Sequence, residues 1–385
     1  MALHFTRAEF ARRQKAACRE IRRRGLDGLL CFRQESMYWL TGYDTNGFSL
    51  FQGMYLGADG RIALCTRAAD RLQSKYTSVI KDVRIWVDRE GATPAHDLRD
   101  MLESYGCRGK RLGVEYDAYG LTGARAKMVD AALDGFCRTE EATDIIRLLR
   151  MVKSPAELVY VRKAGALADD ARDVAMRDCV PGASIAHVYG DMLGAIMAGD
   201  GDPTAARWPI GAGQEALFVR YHTGHKPVST RNDQSTFEFA ASYRHYHTVM
   251  MFVVLTGKID PRHRGMFQAA RDALDAAEAA LRPGKTVGDV FAAQAKVLKK
   301  TRYGRATLPA CGYTVGANFP PTWMDGCFIH SGNPQVLKPG MVFFKQIMIL
   351  DDRTGLSMSL GETSLVTARG CEQVCHAPRE LVVNT

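Results

Sequence analysis

The chain has 385 residues, enough for two or three domains, and its 46% hydrophobic and 24% charged content supplies a large core. The most apolar stretch, residues 250–255, is far short of the about 20 residues of a membrane-crossing helix, so we expect no membrane span. The formal net charge of +9 suits an anionic or zwitterionic small substrate.

Residues 5–24 predict a helix, because Phe10, Ala17 and Ile21 recur at roughly helical spacing. Its clustered cations are Arg12, Arg13, Arg22, Arg23 and Arg24. No nucleic-acid motif accompanies these arginines, so we interpret them as the solvated face of the helix and expect neither a nucleic-acid nor a membrane partner. The segment lacks the apolar core of a signal peptide, and the ten cysteines form no CxxC pair, so we expect a protein of the reducing cytoplasm.

Strand and helix patterns alternate through the first 150 residues. The strand candidates are residues 28–32, 51–56, 61–65 and 111–115, and residues 95–105 form an amphipathic helix. This alternation predicts an α/β domain over residues 1–150. A second domain begins where Ser154, Pro155 and Glu157 form a capping box, which predicts a long helix from Pro155 to about Arg177.

The remaining residues, 151–385, have a different pattern. Helices are predicted at 184–197, 262–281 and after 286, and strands at 216–221, 235–241, 248–255, 342–350 and 357–366. Long strands mixed with helices in this way predict a mixed sheet with helices on one side, which is an α+β domain.

Five segments match one family in order and spacing. They are residues 37–44 (MYWLTGYD), 153–157 (KSPAE), 283–286 (PGKT), 337–342 (LKPGMV) and 361–367 (GETSLVT). On these segments the chain resembles the creatinase/prolidase/methionine-aminopeptidase superfamily over nearly its whole length. The resemblance implies an α/β N-terminal domain followed by an α+β pita-bread domain. It also implies a homodimer in which residues 39–44 approach the neighbouring subunit's pocket.

The resemblance also supplies a test for metal binding. Metallopeptidases of that superfamily hold two divalent ions with two aspartates, a histidine and two glutamates. Residue by residue, these positions fall here on Glu238, Val249, Tyr313, Gln346 and Glu362. Valine offers no donor atom, and Tyr313 and Gln346 are poor replacements for a histidine and a glutamate. We therefore expect no metal and no other cofactor.

Three segments, residues 39–44, 238–247 and 311–323, are similar to those of ectoine hydrolases, a metal-free branch of the superfamily. Two departures, Met251-Phe252 in place of Ser-Arg and residues 45–47 in place of Gly-Trp-Ser, mean that the substrate need not be ectoine. The resemblance implies hydrolysis of a C–N bond in a small polar or zwitterionic metabolite. The alternatives are a creatinase-like amidinohydrolase, a non-catalytic binding protein and a metal-dependent Xaa-Pro peptidase.

Glu238 is the first predicted catalytic residue, because a carboxylate between two phenylalanines of an apolar strand is costly to bury without a purpose. It would attack an electrophilic carbon or activate water. The alternative is a structural ion pair with Arg244 or Lys345. Glu362 is the second predicted catalytic acid, and its alternative is likewise a structural carboxylate.

Two histidines precede the Glu238 strand, and one of them is predicted to shuttle a proton to the leaving nitrogen. We favour His222 for this role and predict substrate contact for His225, and either could instead be a loop histidine in solvent. The other predicted substrate-binding residues are Trp39, Tyr43, Tyr313, Phe319, Trp323 and Gln346. The aromatic ones would form a box over a flat or cationic ligand, or belong to the hydrophobic core.

Overall fold

The structure is a computed structural model that describes residues 3–218, 228 and 232–385. It divides into two compact units, Met1–Arg150 and Met151–Thr385. Within the described ranges, no helix is long and apolar enough to cross a membrane.

The first unit is a six-stranded sheet flanked by helices. Its strands are β1 (Gly28–Cys31), β2 (Gly53–Gly57), β3 (Ile62–Arg67), β4 (Asp82–Trp86), β5 (Arg111–Val114) and β6 (Arg138–Glu141), in the order β4-β3-β2-β1-β5-β6. Its helices are α1 (Arg7–Arg23), α2 (Gln34–Thr41), α3 (Arg71–Thr77), α4 (Pro94–Ser104), α5 (Gly123–Leu133) and α6 (Asp144–Met151). The predicted α/β class is confirmed. Helix α2 was not predicted, because all eight of its residues are buried and no polar face marks it.

Several arginines of helix α1 and its C-cap form ion pairs with nearby carboxylates. Each of its two acidic partners pairs with two arginines: Glu9 with Arg12 and Arg13, and Glu20 with Arg23 and Arg24. Arg24 also pairs with Asp144. Arg13 is fully buried and donates to the Trp39 carbonyl at 3.0 Å, so the interpretation of these arginines as a solvated face is wrong for Arg13.

The second unit is built on a nine-stranded sheet. Its strands are β7 (Ile210–Ala212), β8 (Asn232–Tyr243), β9 (Tyr246–Gly257), β10 (Ala310–Thr314), β11 (Phe328–His330), β12 (Val342–Asp351), β13 (Leu356–Val366), β14 (Cys371–Gln373) and β15 (Val382–Asn384). Its helices are α7 (Pro155–Asp178), α8 (Ile185–Ala198), α9 (Arg262–Ala280) and α10 (Val287–Leu298). The strand order is β11-β10-β12-β13-β9-β8-β7, with β14 beside β13 and β15 beside β9. The predicted α+β class is confirmed.

Two boundaries of the second unit test the sequence patterns. The capping box at Ser154 forms as predicted, and α7 ends one residue beyond the predicted Arg177. The strand predicted at residues 216–221 is wrong at its start, because Gly213–Leu217 is a 3-10 helix. Residues 219–221 lie outside the described residues.

One buried carboxylate, at the carboxyl end of strand β5, holds the start of helix α2. Glu115 follows β5 and is fully buried, and it accepts hydrogen bonds from the backbone N–H groups of Phe32 and Arg33, both at 3.0 Å, and from the Ser36 hydroxyl at 2.6 Å. Arg33 is the N-cap of α2 and offers no side-chain cap, so Glu115 supplies the anion that a helix N-terminus favours. Burial raises the pKa of this carboxyl to about 7.

We predict that Glu115→Ala lowers the free energy of unfolding by about 2–4 kcal/mol, because it leaves buried donors without an acceptor. The measurement is urea denaturation, and Glu90→Ala is the control, since Glu90 is an exposed loop carboxylate. A loss no larger than that of the control would show that Glu115 does not hold α2.

Candidate active site

One row of residues crosses four central strands of the second unit's sheet. Glu238 on β8 lies opposite Met251 on β9. Met251 lies opposite Gly361 on β13, which in turn lies opposite Gln346 on β12. Residues opposite each other in antiparallel strands point to the same face of the sheet. We call the face that carries Glu238, Met251, Gly361 and Gln346 the site face.

Three predicted site residues meet on this face. Glu238 is 7% exposed, and the Tyr313 hydroxyl donates a hydrogen bond to its Oε1 at 3.1 Å. The indole Nε1–H of Trp323 donates to the Tyr313 oxygen at 2.8 Å. Tyr313 pairs with Phe344, two residues before Gln346, which confirms that the phenol shares the site face. Glu238, Tyr313 and Trp323, which were each predicted as site residues, are therefore in direct contact, and their predicted roles stay predictions.

The site face also offers polar atoms that could meet a ligand. In the described part of the chain, Oε1 of Gln346 and Oγ of Ser359 are buried and have no hydrogen-bond partner. Buried polar groups are normally satisfied by protein, water or ligand. Met251 and Met348 lie beside them on the same face, so the polar atoms are set among apolar side chains.

A second carboxylate that we did not predict borders this face. Glu215 is buried in the 3-10 helix Gly213–Leu217. It lines a small cavity together with Met251, Ser359 and Thr236, the last of which lies two residues before Glu238 on β8. No motif surrounds Glu215 in the sequence, and the segment was predicted as a strand, so only the structure reveals its position.

Glu362 does not join Glu238. Because it follows Gly361 on β13, strand alternation turns its side chain to the opposite face of the sheet. There the Arg379 guanidinium donates from Nε to Oε1 at 2.6 Å and from Nη2 to Oε2 at 2.8 Å. We correct the sequence interpretation accordingly: Glu362 holds the C-terminal segment, and the structural alternative describes it.

The charges around Glu362 form a network on the α9 side of the sheet. Arg379 also donates hydrogen bonds to Asp275 and Glu278 of α9. Lys345 lies opposite Glu362 in the strand register and is fully buried. Burial lowers the pKa of its ammonium group, although Glu362 and Glu278 act in the opposite direction. Lys345 therefore points away from Glu238, and an ion pair between those two is not formed.

Trp39 and Tyr43 lie in the hydrophobic core of the first unit. Tyr43 is fully buried, and its hydroxyl donates to Oε1 of Gln52 at 3.2 Å. Trp39 is 3% exposed, and the Arg13 guanidinium lies 5.3 Å from its ring. Both side chains are enclosed by their own unit, so we correct the prediction that they contact substrate: their apolar area stabilises the core instead.

Phe319 and the hairpin histidines are also held by internal contacts. The Phe319 ring is 1% exposed and stacks on His245 at a centroid distance of 4.2 Å, so we correct its predicted substrate contact as well. His247 is buried, and its Nε2 accepts a hydrogen bond from the Ala205 N–H at 3.0 Å. Burial lowers the pKa of His247 to about 4, so the ring is neutral and structural near neutral pH.

The two predicted proton-shuttle candidates, His222 and His225, lie outside the described residues. Their roles stay predictions.

Residues 159–368, more than half of the chain, match metallopeptidase family M24. Residues 13–152 match the creatinase/prolidase N-terminal domain. The chain belongs to metallopeptidase family M24. The superfamily predicted from the sequence is therefore confirmed, as is the combination of an α/β N-terminal domain with a pita-bread domain.

Relatives of this M24 protein include enzymes of more than one kind. It is similar to the ectoine hydrolase of Halomonas elongata, at 25% identity over 100% of this chain and 99% of that protein. It is also similar to the probable dipeptidase PepE of Mycobacterium tuberculosis, at 29% identity over 63% of each chain. The crystal structure of dipeptidase PepE from Mycobacterium ulcerans superposes with a TM-score of 0.84 at 25% identity, over 98% of this chain and 99% of that one.

The family description implies metal ions, and the residues of this M24 protein do not fit them. Val249 has no donor atom, and the carboxylate of Glu362 is on the wrong face. The β13 residue that lies on the site face is Gly361, which offers no ligand atom. A larger residue there would have little room, because its Cβ would lie 2.8 Å from Cζ of Phe344. Among the described residues, no group of three or more His, Cys, Asp or Glu side chains could hold a metal ion.

We predict that Glu362 and Arg379 are energetically coupled by about 1–3 kcal/mol, because the pair is largely buried and bidentate. The measurement is a double-mutant cycle in urea denaturation with Glu362→Gln and Arg379→Gln. The matched control is the exposed pair Arg162 and Glu372, for which we expect about 0–1 kcal/mol. Equal coupling energies in the two cycles would contradict the structural role of Glu362.

Proposed function

We propose that this M24 protein hydrolyses a C–N bond of an amidine or amide-like small polar metabolite without a bound metal ion. The observation that carries the proposal is Glu238. It is a buried carboxylate on the site face, it is held by Tyr313, and the other predicted ligand positions contribute no second carboxylate there. A single oriented carboxylate suits attack on carbon or activation of water better than it suits binding of two divalent ions.

The proposed reaction needs a base and an acid. Glu238 takes a proton from water as the oxygen adds to the electrophilic carbon, or attacks that carbon itself and is then released by water. The C–N bond breaks as the leaving nitrogen receives a proton from His222, the predicted shuttle. In the net reaction, the carbon gains the hydroxyl group of a water molecule and the nitrogen gains the remaining hydrogen of that water. Gln346 and Ser359 are placed to bind polar groups of the substrate.

The comparisons support hydrolysis and leave two substrate classes. Similarity to the Halomonas elongata ectoine hydrolase over the full length supports a non-peptide C–N bond. Similarity to PepE favours the second candidate, peptide hydrolysis, which includes a metal-dependent Xaa-Pro peptidase. We place this second because the donor set on the site face does not suit two metal ions.

Two further alternatives share the metal-free site. A creatinase-like amidinohydrolase would use Glu238 in the same way on a guanidinium-like carbon. A non-catalytic binding protein would keep the pocket but would need neither an oriented carboxylate nor a proton shuttle. The homodimer and the small polar or zwitterionic ligand predicted from the sequence complete the proposal.

We predict that the purified protein contains no stoichiometric manganese, iron, cobalt or zinc, because the described residues of the site face do not form an acidic cluster that would balance the charge of such ions. Elemental analysis of protein purified without added metal or chelator is the measurement. One or two ions per chain that are lost in Glu238→Gln would contradict metal independence. Metal that is retained in Glu238→Gln would lie elsewhere in the chain.

We predict that Glu238→Gln lowers turnover by at least about 10²-fold and leaves the fold intact, because glutamine keeps the shape and removes the base. Products of ectoine, creatine and a dipeptide are followed by mass spectrometry. Glu372→Gln, at the exposed pair with Arg162, is the control and should keep full turnover. Near-full turnover in Glu238→Gln would make the carboxylate structural. Comparing His222→Ala with His225→Ala identifies the proton shuttle.

A further inference from the structure

Glu238 is linked by hydrogen bonds to two aromatic side chains, Tyr313 and Trp323. Tyr313 and Trp323 are each 4% exposed, so the hydrogen bonds from Trp323 to Tyr313 and from Tyr313 to Glu238 are shielded from water. A hydrogen bond in such surroundings has more electrostatic effect than the same bond in water. We had predicted both aromatic residues as walls of a substrate box, yet their polar atoms are directed at each other and at the carboxylate.

The donors and acceptors of Trp323, Tyr313 and Glu238 fix the direction of the two hydrogen bonds that join them. An indole N–H can only donate, so Trp323 occupies an acceptor position of the Tyr313 oxygen. The phenol then has its own proton to donate, and Oε1 of Glu238 lies at 3.1 Å to accept it. A carboxylate accepts hydrogen bonds best when it is ionised, so donation from Tyr313 favours the charged form of Glu238.

Packing holds both donors in place. The Tyr313 ring packs against Phe344 at a centroid distance of 5.3 Å, with an interplanar angle of 50°. The loop that carries Trp323 is tied to β10 at its end, because the N–H of Asp325 donates to the Thr314 carbonyl at 2.9 Å and the N–H of Thr314 donates to the Cys327 carbonyl at 2.9 Å. The indole therefore has little freedom to turn away from the phenol.

We propose that Tyr313 and Trp323 are positioning residues that hold Glu238 as an oriented, ionised carboxylate. Tyr313 fixes the orientation of the carboxylate through its hydrogen bond to Oε1. Trp323 acts one step away, by fixing the direction of the phenol proton. The inference rests on the proposed function only in the sense that Glu238 is the reacting group.

The test measures the ionisation of Glu238 directly and needs no substrate. Protein labelled with ¹³C at the glutamate carboxyl carbon is titrated by NMR, and Glu238→Gln assigns the Glu238 signal. Tyr313→Phe removes the donor, and we expect the titration midpoint of Glu238 to rise by about one pH unit. Trp323→Phe keeps an aromatic ring but removes the N–H, and we expect a smaller rise in the same direction.

Two controls separate positioning from packing. Trp86→Phe removes a buried indole that donates to the Phe51 carbonyl at 3.0 Å in the first unit, so it matches the loss of an indole donor. Phe328→Leu changes a ring that packs on Tyr313 but carries no donor. Neither should move the Glu238 midpoint.

The outcomes distinguish this inference from the proposed function. Unchanged midpoints in both Tyr313→Phe and Trp323→Phe would overturn the positioning role, whatever the turnover of the protein. Equal shifts in the variants and in the two controls would overturn it as well, since packing would then be the cause. Shifted midpoints together with full turnover in Glu238→Gln would keep the positioning role and reject the proposed function.

Discussion

The alternation of side chains along β8, β9, β13 and β12 is the constraint on which the site depends. Register across these strands places Glu238, Met251, Gly361 and Gln346 in one row on one face. A shift of one residue along any strand would exchange the two faces. The same alternation sends Lys345 and Glu362 to the α9 side, so neighbouring residues in the sequence have unrelated surroundings.

The buried carboxylates on the two faces of the sheet have different partners. On the α9 side, carboxylates and cations are matched: Arg379 bonds Glu362 and Glu278, and Lys345 lies opposite Glu362. Removing one member of such a network leaves an uncompensated buried charge. On the site face, one hydrogen bond to Glu238 comes from a neutral group, the hydroxyl of Tyr313. A neutral donor does not balance the negative charge of a carboxylate, whereas an arginine does.

Local sequence signals predicted much of the fold. The capping box at Ser154 located the start of α7, and the strands predicted at residues 235–241, 248–255, 342–350 and 357–366 lie within β8, β9, β12 and β13. Helix α2 was not predicted, because it is buried on all sides and its sequence therefore shows no helical alternation of apolar and polar residues. The family resemblance named Glu238, Tyr313 and Trp323 as site residues, and the structure brings these three into contact although they are far apart in the chain.

The failures in the site have a common cause. Glu362 was misplaced because a face is decided by the parity of a single residue, which a match of short segments does not fix. Trp39, Tyr43 and Phe319 were predicted to bind substrate because aromatic side chains serve cores and binding pockets alike, and only packing distinguishes the two. Glu215 could not be found, since its approach to the site face depends on a 3-10 turn that carries no motif.

The central claim is that Glu238 on the site face performs hydrolysis without metal. The most direct test compares turnover of an amidine metabolite and of a Xaa-Pro dipeptide before and after exhaustive chelation. The account predicts that the amidine is hydrolysed at the same rate in both samples. Cleavage of the dipeptide alone, lost on chelation and restored by added manganese, would contradict it.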